Sequence, residues 1–169
     1  MTNNVIKGVK YYRARKTFDD RGFFCKSDTG GDSLIKVSET FFSFSKKRTI
    51  RGMHLQIGEY ANDRLITVIS GRVFDVLVDL RKNGEPYRSI SVQEMSSDGF
   101  GTVFVPKGVA HGFQALEDSM IHYISSSTYG KEFDIGININ SFDINWPLLN
   151  PIMSIRDHSL PHLSTIDLF

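Results

Sequence analysis

Cysteine is almost missing from this chain. Cys25 is the single one in 169 residues, which excludes an internal disulfide framework and a cysteine-rich zinc site and suits a reducing compartment. No apolar run approaches the roughly 18 residues needed to span a bilayer, and the start, Met1 to Val5, lacks the basic and apolar regions of a signal peptide. The expectation is a cytoplasmic protein with no membrane partner. An excess of charge of one sign is lacking too: 20 Lys and Arg stand against 19 Asp and Glu, a net charge of +1, so nothing in the balance points to nucleic acid. Alanine is scarce, with only Ala14, Ala61, Ala110 and Ala115 against thirteen Phe and six Tyr. That profile favours strands over helices, and the length fits one domain spanning residues 1–169.

What is there are short apolar segments cut by glycines and turn pairs, with no linker and no repeat, as an all-β sandwich or barrel requires. Arg64 to Ile69, Ser70-Gly71 and Arg72 to Leu80 read as a β-hairpin closed by a glycine turn. In its second half Phe74, Val76, Val78 and Leu80 share an apolar face that should meet the core. Asp75 lies between Val73 and Leu77 on the other face, an acid that suits a pocket lining. Further strands are expected over Gly22 to Lys26, Glu39 to Ser45, Thr49 to Gln56, Ser89 to Met95, Thr102 to Val105, Gly112 to Leu116 and Met120 to Ser125, enough for two packed antiparallel sheets. Beyond Trp146-Pro147 the pattern loosens, and Pro151 to Leu163 is expected to hold at most a short helix docked on the body in a structural role.

The five histidines divide by context. His158 and His162 lie in the loose tail, and His122 must point away from Tyr123, its neighbour on the same strand. His54 differs, because Arg51-Gly52-Met53-His54-Leu55-Gln56 places a cation, a base and an amide in one apolar strand, where buried polar groups need partners or a cavity. Arg51 and His54 would point to opposite faces of a regular strand. Both can line one pocket only if Gly52 marks a bulge. His111 follows the Pro106-Lys107-Gly108 turn. With no His-x-His pair, His54 and His111 alone would leave a divalent ion underligated, so no metal is expected.

The motifs Phe18-Asp19-Asp20-Arg21-Gly22-Phe23-Phe24, Ile50 to Gln56, Gly71 to Arg81 and Val105 to Phe113, followed by Tyr123 and Asn145-Trp146-Pro147 with Ser154, Asp157 and Pro161 beyond, run in one order along nearly the whole chain. In that order they resemble the dTDP-4-dehydrorhamnose 3,5-epimerases and related nucleotide-sugar epimerases. The resemblance implies a cupin-like jelly roll with a short C-terminal helical segment, no cofactor or metal, a strand-exchanging homodimer, and a nucleotide-diphospho-4-keto sugar as substrate. It implies His54 as the base and Tyr123 as the acid on the opposite ring face, with Arg64 standing where the family has an enolate-stabilising lysine. Arg21 matches a diphosphate-binding position, Phe24 one near the nucleotide base, and Arg51, Gln56, Asp75 and His111 belong with the substrate pocket.

Two departures shape the expectations. The family's base-orienting aspartate is sought shortly before Trp146, where Gly136 to Phe142 offers only Asn or Ser; the expectation is a base without its carboxylate, Asp75 being the possible substitute. Lys26 and Glu39 replace the family's thymine-reading pair, and a carboxylate at Glu39 suits the adjacent N–H donors of guanine, favouring GDP over dTDP. The alternatives to an epimerase acting at C3, C5 or both are a 3,4-ketoisomerase on the same scaffold and a non-catalytic sugar-nucleotide-binding homologue.

Overall fold

The computed structural model describes residues 6–27, 35–82 and 88–166; Met1 to Val5, read above for a signal peptide, lie outside them. Strands β1 (Lys10–Asp19), β2 (Gly22–Ser27), β3 (Glu39–Ser45), β4 (Ile50–Gln56), β5 (Arg64–Ser70), β6 (Arg72–Asp79), β7 (Ile90–Ser96), β8 (Phe100–Val105), β9 (Val109–Ala115), β10 (Ser119–Ser125) and β11 (Asp134–Gly136) precede one short helix, α1 (Ile155–His158). They form a six-stranded sheet, β2-β1-β8-β5-β10-β3, and a five-stranded sheet, β11-β4-β9-β6-β7. Every strand pairing is antiparallel. The result is the expected cupin-like jelly roll.

One connection differs from the sequence reading. β5 pairs with β8 and β10, whereas β6 pairs with β7 and β9, so the turn at Gly71 is not a hairpin and carries the chain from one sheet to the other. Gly71 has φ +79°, and a Cβ there would sit 2.3 Å from the Asp118 carbonyl oxygen. The turn is clasped against Ser119, whose Oγ accepts from Arg72 N at 3.1 Å. Only glycine can adopt that conformation at that distance.

Two apolar clusters follow. Val73, Leu77, Met95 and Phe113 face Ile66, Val103 and Ile121 between the sheets. On the opposite face of the five-stranded sheet, Val76, Val78 and Leu80 meet Ile137, Ile139 and Leu163, with Phe74, Trp146 and Met153 packed alongside. The apolar face of β6 is therefore buried as expected, but beneath the C-terminal segment. Each fully buried aliphatic chain of this size contributes about 1.5–3 kcal/mol, so the segment after Trp146 is a true layer of the fold. The outer face of the six-stranded sheet stays uncovered in the single chain, with Phe42, Phe44, Ile69 and Met120 exposed. His122 lies there too, stacked on Phe42 and bonded to Thr40 Oγ1 at 2.6 Å, pointing away from Tyr123 as the strand period requires.

Candidate active site

The open end of the sandwich holds a cavity of about 480 Å³ with walls from both sheets, within the size range of small-molecule sites. β4 enters it through an irregularity: its pairing with β9 shifts between Arg51 and His54, and Gly52 has φ +119° with its Cβ position 2.6 Å from Gly112 Cα. The bulge anticipated at Gly52 is present, and it turns Arg51 and His54 into the same cavity.

His54 does have a carboxylate, which corrects the expectation of a base without one. Its Nε2 lies 3.0 Å from Asp157 Oδ1 of α1, a residue 103 positions away in the chain. Burial pushes the Asp157 carboxyl up, but the His54 hydrogen bond and charge, the Ser154 hydroxyl and Arg156 together hold it below the ordinary carboxylate range. Ionised near neutral pH, Asp157 accepts from Nε2–H, which leaves the buried Nδ1 without a hydrogen-bond partner. The stretch 136–142 does different work: Ile137 and Ile139 join the core, and Asn138 Nδ2 donates to Leu160 O at 3.2 Å, holding the returning chain that delivers Asp157. Asp75 is not the substitute partner, because its Oδ1 lies 2.7 Å from His111 Nε2 and its Oδ2 accepts from Tyr11 OH at 3.4 Å. It stands fully buried behind His111, itself a cavity residue.

The opposite wall belongs to the six-stranded sheet. Tyr123 of β10 stacks on Phe41 with ring centroids 4.7 Å apart and planes inclined by 12°, and its hydroxyl lies 3.3 Å from Ser43 Oγ. Burial raises its phenol above the ordinary value despite the lowering influence of Ser43, Arg51 and Arg64, so it is a protonated donor at neutral pH. Arg64 of β5 lines the cavity half-buried, and desolvation lowers its guanidinium although Tyr123, Asp134 and Asp75 act the other way; it still carries its charge. Its Nη2 donates to Val109 O at 3.0 Å, while Nε is buried without a partner. Arg51 is held by Ser45 Oγ at 2.9 Å and Phe44 O at 3.0 Å.

The remaining expected residues divide. Glu39 lines the cavity at the start of β3. Gln56 lines it too, but its amide is engaged by backbone: Oε1 accepts from Gly130 N at 2.7 Å and Nε2 donates to Thr128 O at 3.2 Å, so it holds the loop carrying Tyr129. Arg21, Phe24 and Lys26 do not reach this cavity within the one chain. They sit on the β1–β2 hairpin, where Arg21 pairs with Asp19 at 2.6 Å, Phe24 is exposed and Lys26 Nζ lies 5.7 Å from the Phe24 ring centroid.

Phe41, Ser43, Tyr129, Asp134 and Arg156 also line the cavity without having been singled out in the sequence. For Asp157 the available signal was Ser154-x-x-Asp157, a helix N-cap pattern, borne out by Ser154 Oγ accepting from Asp157 N at 3.0 Å. It announces a helix start and says nothing of His54. Among the described residues no group of three His, Cys, Asp or Glu side chains gathers as a metal cluster, and no helix is long and apolar enough to cross a membrane.

A jelly roll whose end cavity sets a histidine, backed by a carboxylate from α1, against a buried phenol on the opposite sheet has the groups an acid–base enzyme needs. Comparison with known proteins narrows the class. The family model for dTDP-4-dehydrorhamnose 3,5-epimerase matches residues 3–165, and the chain belongs to that family, an isomerase family of nucleotide-sugar epimerases. The dTDP-4-dehydrorhamnose 3,5-epimerase of Escherichia coli is 35% identical over 165 residues, covering 92% of this chain and 89% of its own. A Bacillus anthracis dTDP-4-dehydrorhamnose 3,5-epimerase, crystallised with TDP and pyrophosphate, superposes with a TM-score of 0.84 at 34% identity over 92% of this chain and 94% of its own. A Legionella pneumophila dTDP-6-deoxy-D-glucose-3,5-epimerase, in complex with dTDP-4-keto-L-rhamnose, gives a TM-score of 0.87 at 28% identity over 98% and 93%.

Proposed function

We propose that this protein inverts C3 and C5 of a dTDP-linked 4-keto-6-deoxy sugar in the cytosol, with His54 as base, Tyr123 as acid and Arg64 as the stabiliser of the intermediate. The observation that carries this reading is the placement of the His54–Asp157 pair and Tyr123 on different sheets that wall one cavity. The ketone at C4 acidifies the hydrogens on C3 and C5. The imidazole removes one of them; the C–H electron pair forms the C3–C4 double bond and the carbonyl electrons move to O4. The Arg64 guanidinium, fixed in the cavity wall by its bond to Val109 O, meets that enolate charge as a preorganised cation. As the enolate collapses, Tyr123 O–H delivers a proton to the other face of the carbon, and the configuration inverts. Asp157 stabilises the transient imidazolium. Solvent restores both groups, and the same cycle serves C5.

The relatives' names support dTDP as the carrier. A GDP sugar is the second reading, and Glu39 in the cavity wall favours it; Lys26, the other half of that argument, is not beside Glu39 within one chain. The non-catalytic alternative rested on a missing carboxylate, and Asp157 removes its basis. In deuterated water, the dTDP-4-keto-6-deoxy hexose should acquire label at C3 and C5 by NMR and the GDP sugar should not. Label with GDP alone reverses the nucleotide assignment, transfer of the keto group to C3 identifies a ketoisomerase, and no label with any sugar nucleotide sinks the enzymatic reading.

The working unit is a homodimer. The half of β1 from Ala14 to Asp19 pairs with β2, projecting a hairpin with exposed Phe18, Phe23 and Phe24 beside an uncovered sheet face. Apolar area of this kind asks for cover, and a second copy provides it while bringing Arg21, Phe24 and Lys26 to a neighbouring cavity. Light scattering at micromolar concentration should report about twice 19.1 kDa; a monomer there contradicts this assembly.

A further inference from the structure

We infer that Asp134 and Arg156 form a latch that positions Asp157 against His54, so that the base depends on an ion pair at the mouth of its cavity; the functional side of this inference rests on the reading of His54 given above. α1 is only four residues long, far below the length at which a helix holds itself. Its first residue, Ile155, is 91% exposed and anchors nothing. Two adjacent side chains reach from it to the sheet. Asp157 meets His54 Nε2 at 3.0 Å, and Arg156 Nη2 meets Asp134 Oδ2 at 2.7 Å.

The two receiving points lie close together. β11 pairs with β4 so that Gly136 is opposite His54 and Asp134 is opposite Gln56, one side-chain repeat along the strand. The latch therefore ties α1 to the same stretch of sheet that carries the base. Asp134 is itself held, with its side chain only 10% exposed and its Oδ2 accepting from Tyr129 OH at 3.3 Å. The Ser154 cap orders the turn internally without attaching it to the sheet. The chain after α1 is secured separately, through Asn138 and the close approach of Leu160 to Gly136. The chain before α1 is secured by the Ile152 backbone, bonded to Ile50 and Arg48, and by Met153 packed on the core; between these two anchors, Arg156 is the side chain beside Asp157 that ties the helix to β11 at the level of His54.

The charged and titratable groups around His54 are Asp157 and Arg156 of α1, Asp134 of β11 with Tyr129 beside it, His111 opposite it on β9, Arg51 on its own strand, and Arg64, Glu39 and Tyr123 across the cavity. Removing the latch from the helix side leaves the Arg64 environment intact, so Arg156→Met is the principal variant, with Arg156→Lys as the charge-keeping control and Asp134→Asn as the partner variant. If the latch positions Asp157, Arg156→Met lowers kcat on the order of tenfold to a hundredfold, the range expected for a modestly misplaced catalytic group, with KM within about twofold. Arg156→Lys restores most of kcat.

In an Asp157→Asn background, Arg156→Met produces no further loss of kcat, since it acts through Asp157. Nitrogen-15 NMR of the imidazoles in the free protein gives a readout that needs no substrate: wild type shows the Nε2–H form of His54, and Arg156→Met and Asp134→Asn shift it toward a tautomer mixture. A tautomer shift in a protein without epimerase activity upholds the latch while overturning the functional reading. Multiplicative losses in the double variant, an unchanged tautomer, or a rise in KM at constant kcat each overturn the latch, the last by showing that Arg156 contacts substrate instead.

Discussion

Replacing His54 by Asn will abolish solvent exchange at both C3 and C5 while the protein stays folded. The side chain sits in the cavity wall, 25% exposed and outside the two apolar clusters, so a smaller amide there removes no core contact. The shorter amide does not reach Asp157 as Nε2 does, but the carboxylate keeps the charge of Arg156 beside it, which limits the cost of leaving it without the imidazole. What Asn cannot do is accept a proton from carbon. Positioned general bases contribute about 10²–10⁴-fold to rate, and the ketone-acidified C–H has no other imidazole–carboxylate pair open to it: His111 has its own carboxylate, Asp75, but with the side chain only 6% exposed it lies deeper in the wall. Label uptake over hours should fall by about three orders of magnitude. Exchange near the wild-type rate removes His54 from its role.

Tyr123→Phe should separate two events that the wild-type enzyme performs together. The ring remains and keeps its stacking on Phe41, and the lost hydroxyl was shared only with Ser43, so folding changes little. Without the phenolic proton, the enolate formed by His54 can be reprotonated only from the face it left. Deuterium still enters at C3, though more slowly, and the recovered sugar keeps its starting configuration. Inverted product should fall about 10²-fold or more while exchange falls less. Equal loss of exchange and inversion identifies Tyr123 as a structural or binding residue; unchanged inversion means another group is the acid.

The strands over Glu39–Ser45 and Ser119–Ser125 were legible from their aromatic and β-branched content between turn residues; they pair with each other in unbroken register, while β10 meets β5 with a shift between Met120 and Ile121. β1 was not, since Lys10, Arg13, Arg15 and Lys16 break any apolar alternation; tertiary pairing with β8 and β2 makes it a strand. The change of sheet at Gly71 was hidden for a different reason. Locally a glycine turn looks the same whether it closes a hairpin or crosses a sandwich, and the contact with Ser119 that decides between them comes from far along the chain.

Within the site, Arg51 and His54 were legible as polar groups in an apolar strand and Tyr123 through the family resemblance, and the Gly52 bulge was foreseen because a cavity shared by Arg51 and His54 demands it. Asp157 was not. It sits in a segment without periodicity, and its meaning arises only when Asn138, Leu160 and the cap at Ser154 fold that segment back onto β4. The stretch Gly136 to Phe142 carries no carboxylate for His54, and the fold supplies one from α1. The hairpin residues Arg21, Phe24 and Lys26 present the converse: a sequence motif that does not reach the cavity of its own chain.

The central claim is that base and acid work from opposite walls of one cavity, and the correlation between label and configuration in the wild-type product tests it most directly. Protein incubated in deuterated water with the dTDP-4-keto-6-deoxy sugar should yield product in which nearly every deuterium at C3 lies on an inverted centre, read by NMR from early time points. Deuterium accumulating at C3 with the configuration retained would mean removal and return on one face, and would contradict the account.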